Sequence, residues 1–142
     1  MNHNAKKLPR IGLWIAAALA VSFAACTIGG AVASDKSAAT ADSVATDVTW
    51  SSRAIEYRDS INLRIAYDCP DSGAAFIVWG SDVYTDDSSV CTAGVHAGKI
   101  TFATGGRVII EMRPGQDSYD SLTRNGVTTN VWPSWPGSFV FL

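Results

Sequence analysis

Charge is scarce in this chain. Asp, Glu, Lys and Arg together make up 17% of its 142 residues, below the roughly 25% of an average soluble domain. Nor is the charge basic: 11 Lys and Arg stand against 13 Asp and Glu. Three of the cations, Lys6, Lys7 and Arg10, fall within residues 1–33, which hold no acid, so the remainder carries 8 basic residues against 13 acidic ones. An acidic surface repels a phosphate backbone, which argues against nucleic acid as a partner. Histidine is rarer still, with two copies, and the three cysteines include no closely spaced pair. Structural zinc sites draw on such pairs, so neither a metal nor another cofactor is expected. No glycine-rich stretch leads into a lysine as in a phosphate-binding loop, and Gly105-Gly106 reads as a turn. What the chain does have is 47% hydrophobic residues, enough for a packed core, in a length suited to one domain and not two.

The chain opens with a basic stretch, MNHNAKKLPR, followed by an almost unbroken apolar run from Ile11 to Ala25. That run falls short of the roughly 20 residues of a membrane span. A basic stretch, a short apolar run and small residues after it form the pattern of a bacterial-type export signal. Ala31-Val32-Ala33 before Ser34 is an A-x-A cleavage site, giving a signal over 1–33. The alternative is a lipoprotein signal over 1–25, since Phe23-Ala24-Ala25-Cys26 resembles a lipobox with Phe in place of the usual Leu. Cys26 is the odd cysteine, removed with the signal on one route and lipidated on the other. Residues 34–49 are rich in Ser, Ala, Thr and Asp and read as a flexible spacer. The folded domain is expected over 50–142, exported to the periplasm or the exterior, and held at a membrane only through the signal, an anchor or the lipid.

Within that domain strand patterns dominate. Leu63, Ile65 and Tyr67 alternate before Cys69-Pro70, and Phe76 to Trp79 is a short apolar run. Ile100 and Phe102 flank Thr101, and Val108, Ile110 and Met112 alternate with Arg107, Ile109, Glu111 and Arg113 until Pro114-Gly115, which should stop the strand. Asn125-Gly126 is a tight-turn pair leading into residues 127–131, and 139–142 closes the chain as a strand. One segment differs. Asp86, Asp87 and Ser88 offer N-cap and first-turn chemistry, residues 89–97 can be helical, and Gly98 suits the position after the C-cap. This helix is apolar nearly all round, which predicts burial. The expected class is α+β, one central buried helix wrapped by short, irregular antiparallel sheets. In an oxidising compartment Cys69 and Cys91 would be joined, tying a strand end to that helix.

The segment Tyr84-x-x-x-Ser88-x-x-Cys91-x-Ala93-Gly94-x-His96-x-Gly98-x-Ile100 resembles the signature of LCCL domains, and Cys69-Pro70, Gly105-Gly106, Tyr119, Asn125-Gly126 and Trp135-Pro136-Gly137 agree with it on both flanks. The resemblance covers about residues 50–142. It implies a central helix wrapped by irregular sheets, and a single bridge, the Cys69–Cys91 counterpart, where animal members have two. Gly94 stands where the family usually has Ala, which should loosen the helix by about 1 kcal/mol or less. No catalysis is attributed to the module, and animal members are associated with lipopolysaccharide binding, extracellular defence and matrix. The resemblance therefore implies a non-catalytic binding module for an envelope glycan, lipopolysaccharide or a protein.

Individual residues are consistent with that. His96 as a general base would need a nucleophile and an orienting acid; Ser88 and Ser89 sit in no nucleophile elbow, and a buried, hydrogen-bonded imidazole is the expectation. Asp82, Asp86 and Asp87 lack the regular spacing of a calcium loop. Trp132-Pro133-Ser134-Trp135-Pro136-Gly137 is the candidate binding surface, since prolines keep it extended and exposed indoles stack on sugars or lie on acyl chains. Arg107 and Arg113 share a strand face at even spacing. With Trp132 and Trp135 they form the expected ligand site.

Overall fold

The structure is a computed structural model whose described residues are 39–142. The expected export segment, both expected cleavage sites and Cys26 lie outside them. The elements in chain order are β1 (Ser43–Val44), a 3-10 turn at Ile55–Tyr57, β2 (Arg64–Cys69), β3 (Gly80–Ser81), β4 (Val83–Thr85), α1 (Val90–His96), β5 (Gly106–Tyr119), β6 (Thr123–Arg124), β7 (Val127–Thr128) and β8 (Trp132–Phe141). Six strands make one mixed sheet in the order β1-β2-β5-β8-β4-β3, and β6-β7 is a separate hairpin. The class is α+β, as expected. Among the strands of this sheet in the described residues, β1 pairs in parallel with β2 and the other neighbours are antiparallel.

Alternation decides which face is core. Opposite Ile65 and Tyr67 of β2 stand Ile110 and Val108 of β5, and opposite Ile110 and Met112 stand Phe141 and Phe139 of β8. These side chains share one sheet face because residues two apart on a strand point the same way. All are buried except Phe141, which is partly so. Against this face lies α1, each of whose seven residues is buried. Tyr84 of β4 stacks on Phe139 at 5.6 Å and meets the His96 ring edge-on at 5.7 Å.

The helix is short because both ends are closed by hydrogen bonds. Ser89 is its N-cap: the hydroxyl accepts from the Thr92 amide and donates to the carbonyl of Trp50 at 2.7 Å. At the other end Gly98 has φ +71°, the left-handed conformation that glycine adopts without a Cβ penalty. Its amide bonds Val95 O and that of Lys99 bonds Gly94 O, the paired closure of a Schellman motif. Cys91, on the first turn, is bonded to Cys69 at the end of β2, 22 residues earlier. Gly94 has a packing reason: a Cβ there would lie 3.3 Å from both Ile100 and Val108, so the propensity gained by Ala is opposed by crowding.

Four expectations need correction. Asp86 and Asp87 do not cap the helix; the first turn carries no acid, because the chain between Thr85 and Ser88 turns before α1 begins. Residues 34–49 are not spacer throughout. Ser43 and Val44 pair with β2, and Asp42 and Ala45 donate backbone hydrogen bonds to Arg64 and Ala66. The apolar run 76–79 forms no full strand: Phe76 and Ile77 are exposed while Val78 is buried, and Ile100 and Phe102 flank a single bridge, Thr101 to Gly105. Finally, β5 does not stop at Pro114-Gly115 but runs to Tyr119.

Candidate binding site

The continuation of β5 past Pro114 creates the most distinctive surface of the molecule. The last backbone bonds from the chain entering β2 reach β5 at Met112, and β4 leaves β8 after Ser138. Beyond those points, apart from the Asp86 amide that bonds Gly137 O, β5 and β8 pair only with each other, Pro114 with Gly137, Gln116 with Trp135, Ser118 with Pro133 and Tyr119 with Trp132. A proline lacks the amide for a ladder bond on both sides and is accepted where one side is open. Pro114, Pro133 and Pro136 all fall in this two-stranded ribbon. At Gly115 a Cβ would lie 1.7 Å from the carbonyl oxygen of Trp135, so glycine is what lets the strands approach there.

Trp132 and Trp135 repeat at three residues, each followed by proline. Residues three apart on a flat strand face opposite ways. Proline fixes φ near −65° after each of them, and the two indoles nonetheless meet. Their rings are 6.3 Å apart and edge-on, and Trp79 closes on Trp132 at 5.6 Å. The result is a row, Trp79–Trp132–Trp135, with Arg58 5.2 Å above the Trp135 ring. Trp132 is 39% exposed and the preceding Val131 is 67% exposed; Trp135 is half-buried.

A buried carboxylate anchors the row. Asp86 has no exposed surface. It accepts from Arg58 Nε at 2.6 Å and a terminal guanidinium nitrogen at 2.8 Å, and from Trp135 Nε1 at 2.8 Å. A buried charge is tolerable only with such complete pairing. The carboxylate raises the Arg58 pKa through that hydrogen bond. Arg58, Asp86 and Trp79 were not singled out as site residues by the sequence; the repeated Trp-Pro was the one local signal.

The signature residues occupy the interior. Ser88 Oγ accepts from the Trp79 amide at 2.9 Å. The ring of His96, with no exposed surface, has Nε2 3.1 Å from Leu122 O and Nδ1 2.8 Å from the Tyr84 hydroxyl. A carbonyl can only accept, so Nε2 carries the proton and Tyr84 donates to Nδ1; the tautomer follows from this network. Burial lowers the His96 pKa and pushes that of Tyr84 up to about 12. Among the described residues the ring hydrogen-bonds Tyr84 and Leu122 and no serine or thiol. Ala93 and Ile100 are core residues. Cys69 and Cys91 are bonded to one another and are not available as zinc ligands. Asp82 pairs with Arg124 and Asp86 with Arg58, so the acidic cluster is divided between two cations.

The expected composite of Arg107, Arg113 and the tryptophans is not assembled. Arg107 pairs with Asp68 at 3.0 Å and Arg113 with Glu111. Six residues of strand hold the two arginines about 20 Å apart, and Trp132 pairs with Tyr119 another six residues along.

The profile of the LCCL domain matches residues 43–139, starting at β1. Bovine vitrin is 36% identical over 81 residues, 56% of this chain and 12% of that protein. Human cochlin is 39% identical over 64 residues, 45% of the chain and 12% of that protein. Clotting factor C of Tachypleus tridentatus is 32% identical over 97 residues, 67% of the chain and 9% of that protein. The chain thus spans about a tenth of the length of these relatives.

Proposed function

The chain belongs to the LCCL domain family, and from that premise we propose that it is an exported, non-catalytic binding module of the cell envelope or exterior. The ligand class is a glycan, glycolipid or protein, received on the Trp79–Trp132–Trp135 row. The observation that carries this reading is Trp132, a large indole left 39% exposed on a ribbon whose neighbouring ring is held rigid by Asp86. A pre-oriented aromatic surface loses little conformational freedom on binding. Export is supported by the Cys69–Cys91 bridge, since such bonds persist in oxidising compartments, and by the signal pattern over residues 1–33. The absence of catalysis is supported by the committed hydrogen bonds of His96.

The test is a glycan and lipid array probed with the disulfide-bonded exported protein and with Trp132→Ala. The expected result is binding that Trp132→Ala abolishes while its melting temperature stays within a few degrees. Undiminished binding by Trp132→Ala removes the row from the function. A blank array favours the alternative, a structural domain tethered through lipidated Cys26, which labelling with a palmitate analogue tests directly.

A further inference from the structure

Arginine pairing in this domain is uneven. Arg58, Arg107 and Arg124 each have a carboxylate of their own, Asp86, Asp68 and Asp82. Arg64 and Arg113 share one. Glu111, 6% exposed, receives Arg64 Nε at 3.0 Å on one carboxylate oxygen and a terminal nitrogen of Arg113 on the other. All three lie on the sheet face turned away from the core: Arg64 is the β2 partner of Glu111, and Arg113 is two residues along β5, on the same side. One guanidinium is enough to neutralise a buried carboxylate. The second leaves this cluster with a net charge of +1 on a domain that is acidic as a whole.

The two guanidiniums are held but not used up. Each has five N–H donors in a rigid fork, and each spends one contact on Glu111. Among the described residues neither side chain has another acceptor; the Asp42 carboxylate takes the backbone amide of Arg64, not its side chain. The side chains remain 43% and 46% exposed. Two fixed forks with spare donors and one uncompensated charge match a tetrahedral oxyanion, which arginine pairs bind bidentately. We infer that Arg64, Glu111 and Arg113 form an oxyanion clamp for a phosphate or sulfate group, with Glu111 as the positioning residue. This site is separate from the tryptophan row and does not depend on it.

The experiment titrates the exported protein at low salt with inorganic phosphate, with a sulfated disaccharide and with phosphatidylglycerol vesicles, following binding by calorimetry. Binding in at least one arm is expected, and the arm that responds identifies the source of the anion. Arg64→Gln and Arg113→Gln should each weaken it about tenfold, the size expected for one charge-assisted contact. Arg113→Lys should also weaken it, because lysine keeps the charge without the fork. Lys99→Gln, an equal loss of charge elsewhere, should leave it unchanged. The clamp is overturned by silence in all three arms, by full affinity in either glutamine variant or in Arg113→Lys, or by an equal loss in Lys99→Gln.

Discussion

A methyl group at Gly137 would sit 1.9 Å from Oδ2 of Asp86 and 2.9 Å from Cγ of Arg58. Neither neighbour can yield cheaply, because Asp86 is fully buried and holds Arg58 and Trp135 together. Gly137→Ala should therefore displace the carboxylate from its partners and cost about 3 kcal/mol or more, the scale of a broken buried ion pair. Urea denaturation measures it, and a loss under about 1 kcal/mol would mean that Asp86 has room to move. At this scale the sequence was legible where partners are close in the chain. Gly98 closes the helix through a bond three residues long and Asn125-Gly126 makes its turn with φ of 50° and 76°, whereas the N-cap, expected before residue 89, falls on Ser89 itself. The sequence was illegible where partners are distant. Asp86 reads locally as a capping acid, and its actual partners lie 28 and 49 residues away.

Among the elements, β2 was read from alternation and α1 from its end signals and all-round apolar character, and each is bounded by a residue that stops it, Pro70 and Gly98. The length of β5 was not. Pro114-Gly115 signals an end only if both edges of a strand must pair, and whether an edge is open is a property of the sheet, not of the segment. The short β1 was missed for a related reason: two backbone pairs on a parallel edge leave little mark on Ser-Val. The disulfide joins the two elements that were legible. Replacing both Cys69 and Cys91 by Ala removes the cross-link without leaving a buried thiol, and for a loop of this span it should cost about 3 kcal/mol in the chain-entropy model. Chemical denaturation of the double variant against the oxidised protein checks this. Equal stability would mean that packing of α1 alone holds the end of β2.

For the whole molecule, the ring of His96 is the point where separate parts of the chain meet. It stands on α1, accepts from Tyr84 on β4 and donates to Leu122 just before the β6-β7 hairpin, and the Asn125 side chain of that hairpin's turn donates to the backbone carbonyl of His96. Both ring nitrogens are committed only while the imidazole is neutral. Protonation would place a second N–H against the Tyr84 hydroxyl in a site closed to water, and burial accordingly lowers the pKa below its ordinary 6.5. Arg124 lowers it further, while the Leu122 carbonyl and Asp82 act in the opposite sense. The unfolded chain thus takes up this proton near pH 6.5 and the folded chain only at lower pH. Stability is complete above about pH 6.5 and falls as the pH drops below it, with a limiting slope for one proton of about 1.4 kcal/mol per pH unit. Carboxylates titrate near pH 4, and His96 is the only imidazole among the described residues, so the window from pH 7.5 to 5.5 isolates it. Thermal melts across that window should show the oxidised protein losing stability toward pH 5.5. His96→Gln should be less stable at pH 7.5 yet nearly flat over the same range. An equal slope in both proteins would place the titrating group elsewhere and leave the His96 network as packing alone.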